Sequence, residues 1–250
     1  MGGLVDDIKT FYDPSNAIGG ASMFEQVAIH WDDASSRHGM PVDSRGFSDL
    51  KDSFVSTHPA NIAYKAAQMQ NQDLADKFLR RLREAAAAER KQIHILETQL
   101  ELVKEVGLNP DKFLEAIESG KAKEKFIKEL SEGRQRGITG FPTFKITNTN
   151  GESIRLNGFQ RYERFEQAFE NLSRKKMKKK QVILNDENVL KFIEKYMKVA
   201  TQEVATLFEI EKEEAFKILS KLQHEEKIIS IPAGNDFFWL FHEHKDQKDS

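Results

Sequence analysis

The run Ile138-Thr139-Gly140-Phe141-Pro142, followed by Thr143 and Phe144, puts a proline at the mouth of a short aromatic and β-branched stretch. A proline there cannot donate to a ladder and is tolerated only at the start or edge of a strand. With a cis Phe141-Pro142 bond, the residue before the proline can turn its N–H and C=O outward, where an extended polypeptide can pair with them. With a trans bond the same residues make an ordinary turn, and the rarity of cis X–Pro bonds, about 5–6%, favours that reading for the run taken alone.

Few other residues offer chemistry. The chain has no cysteine, which removes disulfides, thiolate metal sites and any thiol nucleophile from these 250 residues. His30, Trp31 and His38 lie close in sequence, yet no acidic or sulfur ligand accompanies them at metal spacing, so a structural or surface role is expected, as for His242 and His244. No catalytic residue, no metal ligand and no cofactor is expected within the chain.

The elements that must position the loop follow from periodicity. Residues 1–57 read mostly as loop, with one helix over Ala21 to Arg37. A series of helices then runs to about Arg136: Pro59 to Met69, Asp73 to Glu89 with Leu74, Phe78, Leu82 and Ala86 in a stripe, Lys91 to Val106, Asn109 to Gly120, and Ala122 to Gly133. That stripe reads as core. After Gly137 the period shortens, giving a β-hairpin over 141–156 and a helix over Tyr162 to Leu172.

Arg174 to Lys180 carries six basic residues in seven and reads as a solvated, flexible linker between domains. Beyond it, helices at Asp186 to Met197, Thr201 to Leu207 and Lys212 to Glu225 precede two apolar strands around Ile228 and Phe237, the pattern of a winged helix. The expected domains are therefore 1–173, a linker at 174–185, and 186–250. Residues 186–250 hold 9 Lys or Arg against 14 Asp or Glu, net −5, and the would-be reading helix is itself acidic. Duplex DNA would repel it, so protein contacts are expected instead. Whole-chain charge is −2, apolar residues make up 39% and charged residues 31%, and no apolar run approaches the roughly 20 residues needed to cross a bilayer. With no signal-like start at Met1, the expected compartment is the cytoplasm.

The loop at 137–143 resembles the cis-proline loop of the DsbA family, in particular its FrnE-like branch of dithiol-disulfide isomerases. Similar segments occur in the same order at Met1-Gly2-Gly3-Leu4, Tyr12-Asp13-Pro14-Ser15-Asn16, Arg37-His38-Gly39-Met40-Pro41-Val42, Pro59-Ala60 with Lys65-Ala66-Ala67, and Phe78-Leu79-Arg80-Arg81-Leu82-Arg83-Glu84-Ala85. The resemblance covers about residues 1–172. It implies an α/β thioredoxin-like fold with a large helical insertion over 59–136, a cis Phe141-Pro142 bond, and a substrate-binding loop of Ile138, Thr139, Gly140, Phe141 and Pro142. In that family the first strands and the Cys-x-x-Cys helix precede the segment matching Met1 to Leu4, so the thioredoxin domain is expected to be N-terminally incomplete, a fragment being favoured. Its open hairpin face is expected to be sticky enough for a homodimer.

Three functions follow from the resemblance. The first is a thiol-disulfide oxidoreductase or isomerase acting on protein substrates, of which this chain supplies only the substrate-positioning half. The second is a redox-inactive cytoplasmic adaptor, similar in outline to the SpxH/YjbH proteins that deliver a transcription factor to a protease. The third is a glutathione-dependent isomerase or transferase of the kappa type. All involve a polypeptide or small thiol partner, and none involves DNA or a membrane.

Overall fold

The computed structural model describes residues 5–12, 20, 22–50, 53–178 and 180–242. Their elements are α1 (Met23–His38), α2 (His58–Gln68), α3 (Gln72–Ala88), α4 (Leu96–Glu105), α5 (Pro110–Glu118), α6 (Lys121–Gln135), β1 (Thr143–Thr147), β2 (Ser153–Asn157) and α7 (Tyr162–Ser173). They continue with α8 (Asp186–Tyr196), β3 (Lys198–Ala200), α9 (Thr201–Phe208), α10 (Lys212–His224), β4 (Ile228–Ala233) and β5 (Asp236–Phe241). Two 3-10 turns, Ile8–Tyr12 and Ser44–Leu50, interrupt the expected N-terminal loop. The expected similarities at Met1 to Leu4 and Asp13 to Asn16 lie outside the described residues.

The chain forms two compact units, one built around residues 124–181 and the other around residues 3–123 together with 182–250. In the larger unit, α2 to α5 pack around Phe78, Leu102, Val103 and Phe113, with the Phe78 and Phe113 rings edge to face at 5.8 Å. The stripe read as core is core in part: Phe78 and Leu82 are buried, while Leu74 packs on the margin. Local signals set these helices. Asn71 and Asn109 accept from Leu74 and Lys112 N–H as side-chain caps, and Pro110 opens α5. The helix expected from Lys91 begins only at Leu96; instead Lys91 N–H bonds Ala85 O and Gln99 Nε2 bonds Ile93 O, so residues 91–95 turn the chain.

The segment from Asp186 supplies a second core in the same unit, with Val189, Ile193, Leu219, Leu222 and Trp239 buried together. Its strands form an antiparallel sheet in the order β3-β5-β4. The short strand β3, pairing Val199 with Trp239, had no periodic signal of its own. In the smaller unit, α6 leads into the antiparallel hairpin of β1 and β2, with Phe144 opposite Leu156, and α7 follows.

Candidate functional site

The loop after α6 is built from both sides. Gly137, at φ +67°, ends the helix: its N–H reaches Arg134 O at 2.9 Å, and Ile138 N–H reaches Gly133 O at 3.0 Å. Arg155 on β2 donates back to Arg136 O at 2.5 Å and Gly137 O at 3.3 Å. On the far side, Gly158 N–H donates to Pro142 O at 2.8 Å, and Thr143 Oγ1 donates to Gly140 O at 2.7 Å.

Between these braces the Phe141-Pro142 bond is cis. Ile138 is half-buried, whereas Thr139, Gly140, Phe141 and Pro142 are exposed. The N–H and C=O of Phe141 have no hydrogen-bond partner among the described residues. The sheet has two strands only, so β1 pairs with β2 on one side and with no described strand on the other. The five residues singled out in the sequence thus form one loop, exposed from Thr139 to Pro142, that leads into a strand edge with no described partner.

Exposed aromatic side chains occur in the same unit. Phe141 is 51% exposed, and Phe144, Phe159 and Phe169 are exposed too. Phe144 packs edge to face on Phe165 of α7 at 4.9 Å, which fixes it without hiding it. An unpaired strand edge beside aromatic side chains can take an extended peptide, main-chain bonds giving affinity and side-chain contacts giving preference.

Sequence reasoning missed a second construction, within the larger unit. Arg80 on α3 makes a bidentate bond with Glu203 of α9 at 2.8 Å, donates to Lys198 O at 2.7 Å, and pairs through Nε with Glu84 at 2.8 Å. Arg81 binds Glu84, Glu89 and Glu105, and Lys198 reaches Glu84 and Glu89. Burial opposes charge on Arg80 and Arg81, but the surrounding carboxylates outweigh it and hold both guanidinium pKa values above the usual arginine value. Burial likewise opposes ionisation of Glu89, and Lys198 and Arg81 outweigh it, lowering the carboxyl pKa. The Arg-Arg run was legible as a family-like segment; the distant partners of Arg80, Lys198 O and Glu203, 118 and 123 positions away, were not.

The turn between β4 and β5 completes this construction. Gly234 N–H donates to Ala88 O at 3.0 Å, Asn235 N–H to Val42 O at 3.1 Å, and Val42 N–H to Asn235 Oδ1 at 3.1 Å. The family-like stretch Arg37 to Val42 is the ledge that receives it. His30 is exposed, and His38 accepts from Met40 N–H at 3.0 Å, with burial lowering its pKa. His242 is exposed, and His244 lies outside the described residues.

Known proteins resemble this chain in sequence and in shape. A family model described as Thioredoxin matches residues 21–167. The ClpXP adapter protein SpxH of Halalkalibacterium halodurans is 27% identical over 224 residues, which span 89% of this chain and 71% of that protein. SpxH of Bacillus subtilis is 25% identical over 216 residues, 85% of this chain and 71% of its own length. A crystal structure from Nitrosomonas europaea, provisionally named a protein disulfide isomerase, superimposes with a TM-score of 0.54 at 18% identity, over 62% of this chain and 75% of the other. That likeness is one of fold.

Proposed function

Because the chain belongs to the thioredoxin family, we propose that it uses that fold as a protein-binding adaptor, holding an extended polypeptide along the Ile138 to Pro142 loop and the free edge of β1. The observation that carries this reading is the exposure of Phe141, whose N–H and C=O are unpaired among the described residues, at the start of a strand that carries the exposed ring of Phe144. Thiol exchange needs a thiolate, and these 250 residues hold no cysteine. The oxidoreductase expectation therefore gives way to the adaptor as the function assigned to these residues.

The SpxH relatives are named as ClpXP adapters, and we carry that role to this chain: it presents a bound protein client to a ClpXP-type protease in the cytoplasm. The finer assignment to the FrnE-like branch accounts for the loop, and a winged-helix reading of residues 186–241 gives the segment a protein-contacting rather than DNA-contacting role, in keeping with its negative charge.

The test is degradation by ClpXP of the transcription factor that SpxH/YjbH adaptors deliver. Adding the chain should accelerate it about tenfold, and Phe141→Asp, which sets a charge on the edge, should abolish most of that gain, a loss of about 1.4 kcal/mol. An unchanged rate in the presence of the chain overturns the adaptor reading; acceleration untouched by Phe141→Asp overturns the loop as the client site.

A further inference from the structure

The open edge of β1 is not chemically neutral. Pro142 O accepts from Gly158 N–H and Asn148 N–H donates to Glu152 O, so the positions bonded to β2 are the even ones, Phe144 opposite Leu156 and Ile146 opposite Ile154. Thr143, Lys145 and Thr147 therefore turn their N–H and C=O away from β2, in step with the unpaired groups of Phe141. A strand added on that side bonds these residues directly.

The pleat sorts the side chains. Phe144 and Ile146 face the side on which Phe144 meets Phe165 of α7, and Lys145 faces the opposite side with Arg155 as its cross-strand neighbour. Like charges set directly opposite in a strand pair are destabilising. Arg155 donates to two carbonyls, Arg136 O and Gly137 O, and neither it nor Lys145 has a carboxylate partner among the described residues.

The surroundings repeat that sign. Residues 133–162, which make the loop and the hairpin, carry Arg134, Arg136, Lys145, Arg155 and Arg161 against Glu152 alone. Glu152 lies at the end of the hairpin away from Pro142 and pairs with Arg174 at 3.2 Å, while Glu132 of α6 pairs with Arg136 at 3.6 Å. Arg134 and Arg161 are exposed and, like Lys145, have no carboxylate partner among the described residues. Residues 124–181 as a whole hold 14 Lys or Arg against 7 Glu, six of those cations in the linker at 174–180, although the full chain is −2.

A nucleic acid would answer the charge but not the edge, because phosphates only accept hydrogen bonds, whereas each outward residue of β1 offers both an N–H and a C=O. A polypeptide answers both. Resting on the adaptor reading of this loop, we propose that the client held along β1 is an extended polypeptide with acidic and apolar residues in alternation, its apolar side chains on the Phe144 face and an acidic one opposite Lys145.

The probe is a fluorescein-labelled, end-capped peptide, Val-Glu-Val-Glu-Val-Glu-Val, titrated with the full chain by fluorescence anisotropy beside its Gln-for-Glu and Lys-for-Glu counterparts. We expect the Glu peptide to bind at least about tenfold more tightly than the Gln peptide and the Lys peptide most weakly. That preference should shrink as salt rises from about 50 to 200 mM, because exposed charges are screened. Lys145→Glu places an acid opposite Arg155, so it should leave the hairpin intact while removing most of the preference for Glu over Gln, and Lys145→Gln should remove part of it. Absence of saturable binding by all three peptides would overturn the adaptor reading of the edge and this proposal with it. Equal binding of the Glu and Gln peptides, or a preference undiminished in Lys145→Glu, would leave that reading standing and overturn the acidic client alone. Displacement of the Glu peptide by an equal concentration of oligothymidylate would assign the basic face to nucleic acid and overturn the proposal as well.

Discussion

The two units treat their unpaired groups in opposite ways. In the larger unit, a turn, a ledge and a run of arginines are held mostly against one another: the Gly234-Asn235 turn hydrogen-bonds Val42 and Ala88, and Arg80, Arg81 and Lys198 share four glutamates in ion pairs. In the smaller unit, Phe141 keeps its backbone groups open and several aromatics remain in solvent. Groups satisfied internally contribute to stability, and groups left open are available to a partner. Mutation and acid should therefore act on different properties in the two units.

The largest effect is expected at Gly234. It has φ +55°, and a Cβ added there would lie 2.2 Å from the carbonyl carbon and oxygen of Val42. Gly234→Ala meets backbone on one side and left-handed strain on the other, and should lower stability by about 2–4 kcal/mol, read as a fall in the denaturant midpoint. A change below about 0.5 kcal/mol would show that the turn is not held against the ledge.

Acid should have an intermediate effect. The Glu89 pKa is lowered from 4.5 by Lys198 and Arg81 against the opposing effect of burial. A carboxyl held below its unfolded value adds stability that is fully present above pH 4.5 and is lost as pH falls through the folded value. Melting temperature should thus fall below pH 4.5, and Glu89→Gln should flatten that fall. Equal acid sensitivity in the variant would remove Glu89 as its source.

The smallest effect is expected at Phe141. At 51% exposure, with free backbone groups, Phe141→Asp should change stability by less than about 0.5 kcal/mol. A larger loss, measured by the same denaturant titration, would mean that the ring supports the hairpin and that the contrast between the units is false.

The loop and its hairpin were legible because their signals are local. Gly137, Pro142 and Gly158 fall within 22 residues of one another, and alternation marks the strands between them. The helices were legible for the same reason, through Asn caps and apolar stripes. The delayed start of α4 was not, because Ile93 and Ile95 continue an apolar spacing that loop-directed hydrogen bonds override. Strand β3 is three residues long and exists only through pairing with β5, so no period could announce it. Within the arginine network the pairs on α3 are local, but Glu203 and Lys198 O reach Arg80 only through tertiary packing, across 123 and 118 positions.

The meeting of Val42 with Asn235 also sets a timetable. Their bond closes over 193 residues, and a ribosome adding about 5–20 residues per second takes roughly 10–40 s to make that stretch. During synthesis the ledge is finished long before the turn that covers it exists. For that interval a nascent chain presents Val42 N–H, Val42 O and Ala88 O bare, so the hairpin of β4 and β5 is the piece that retires them.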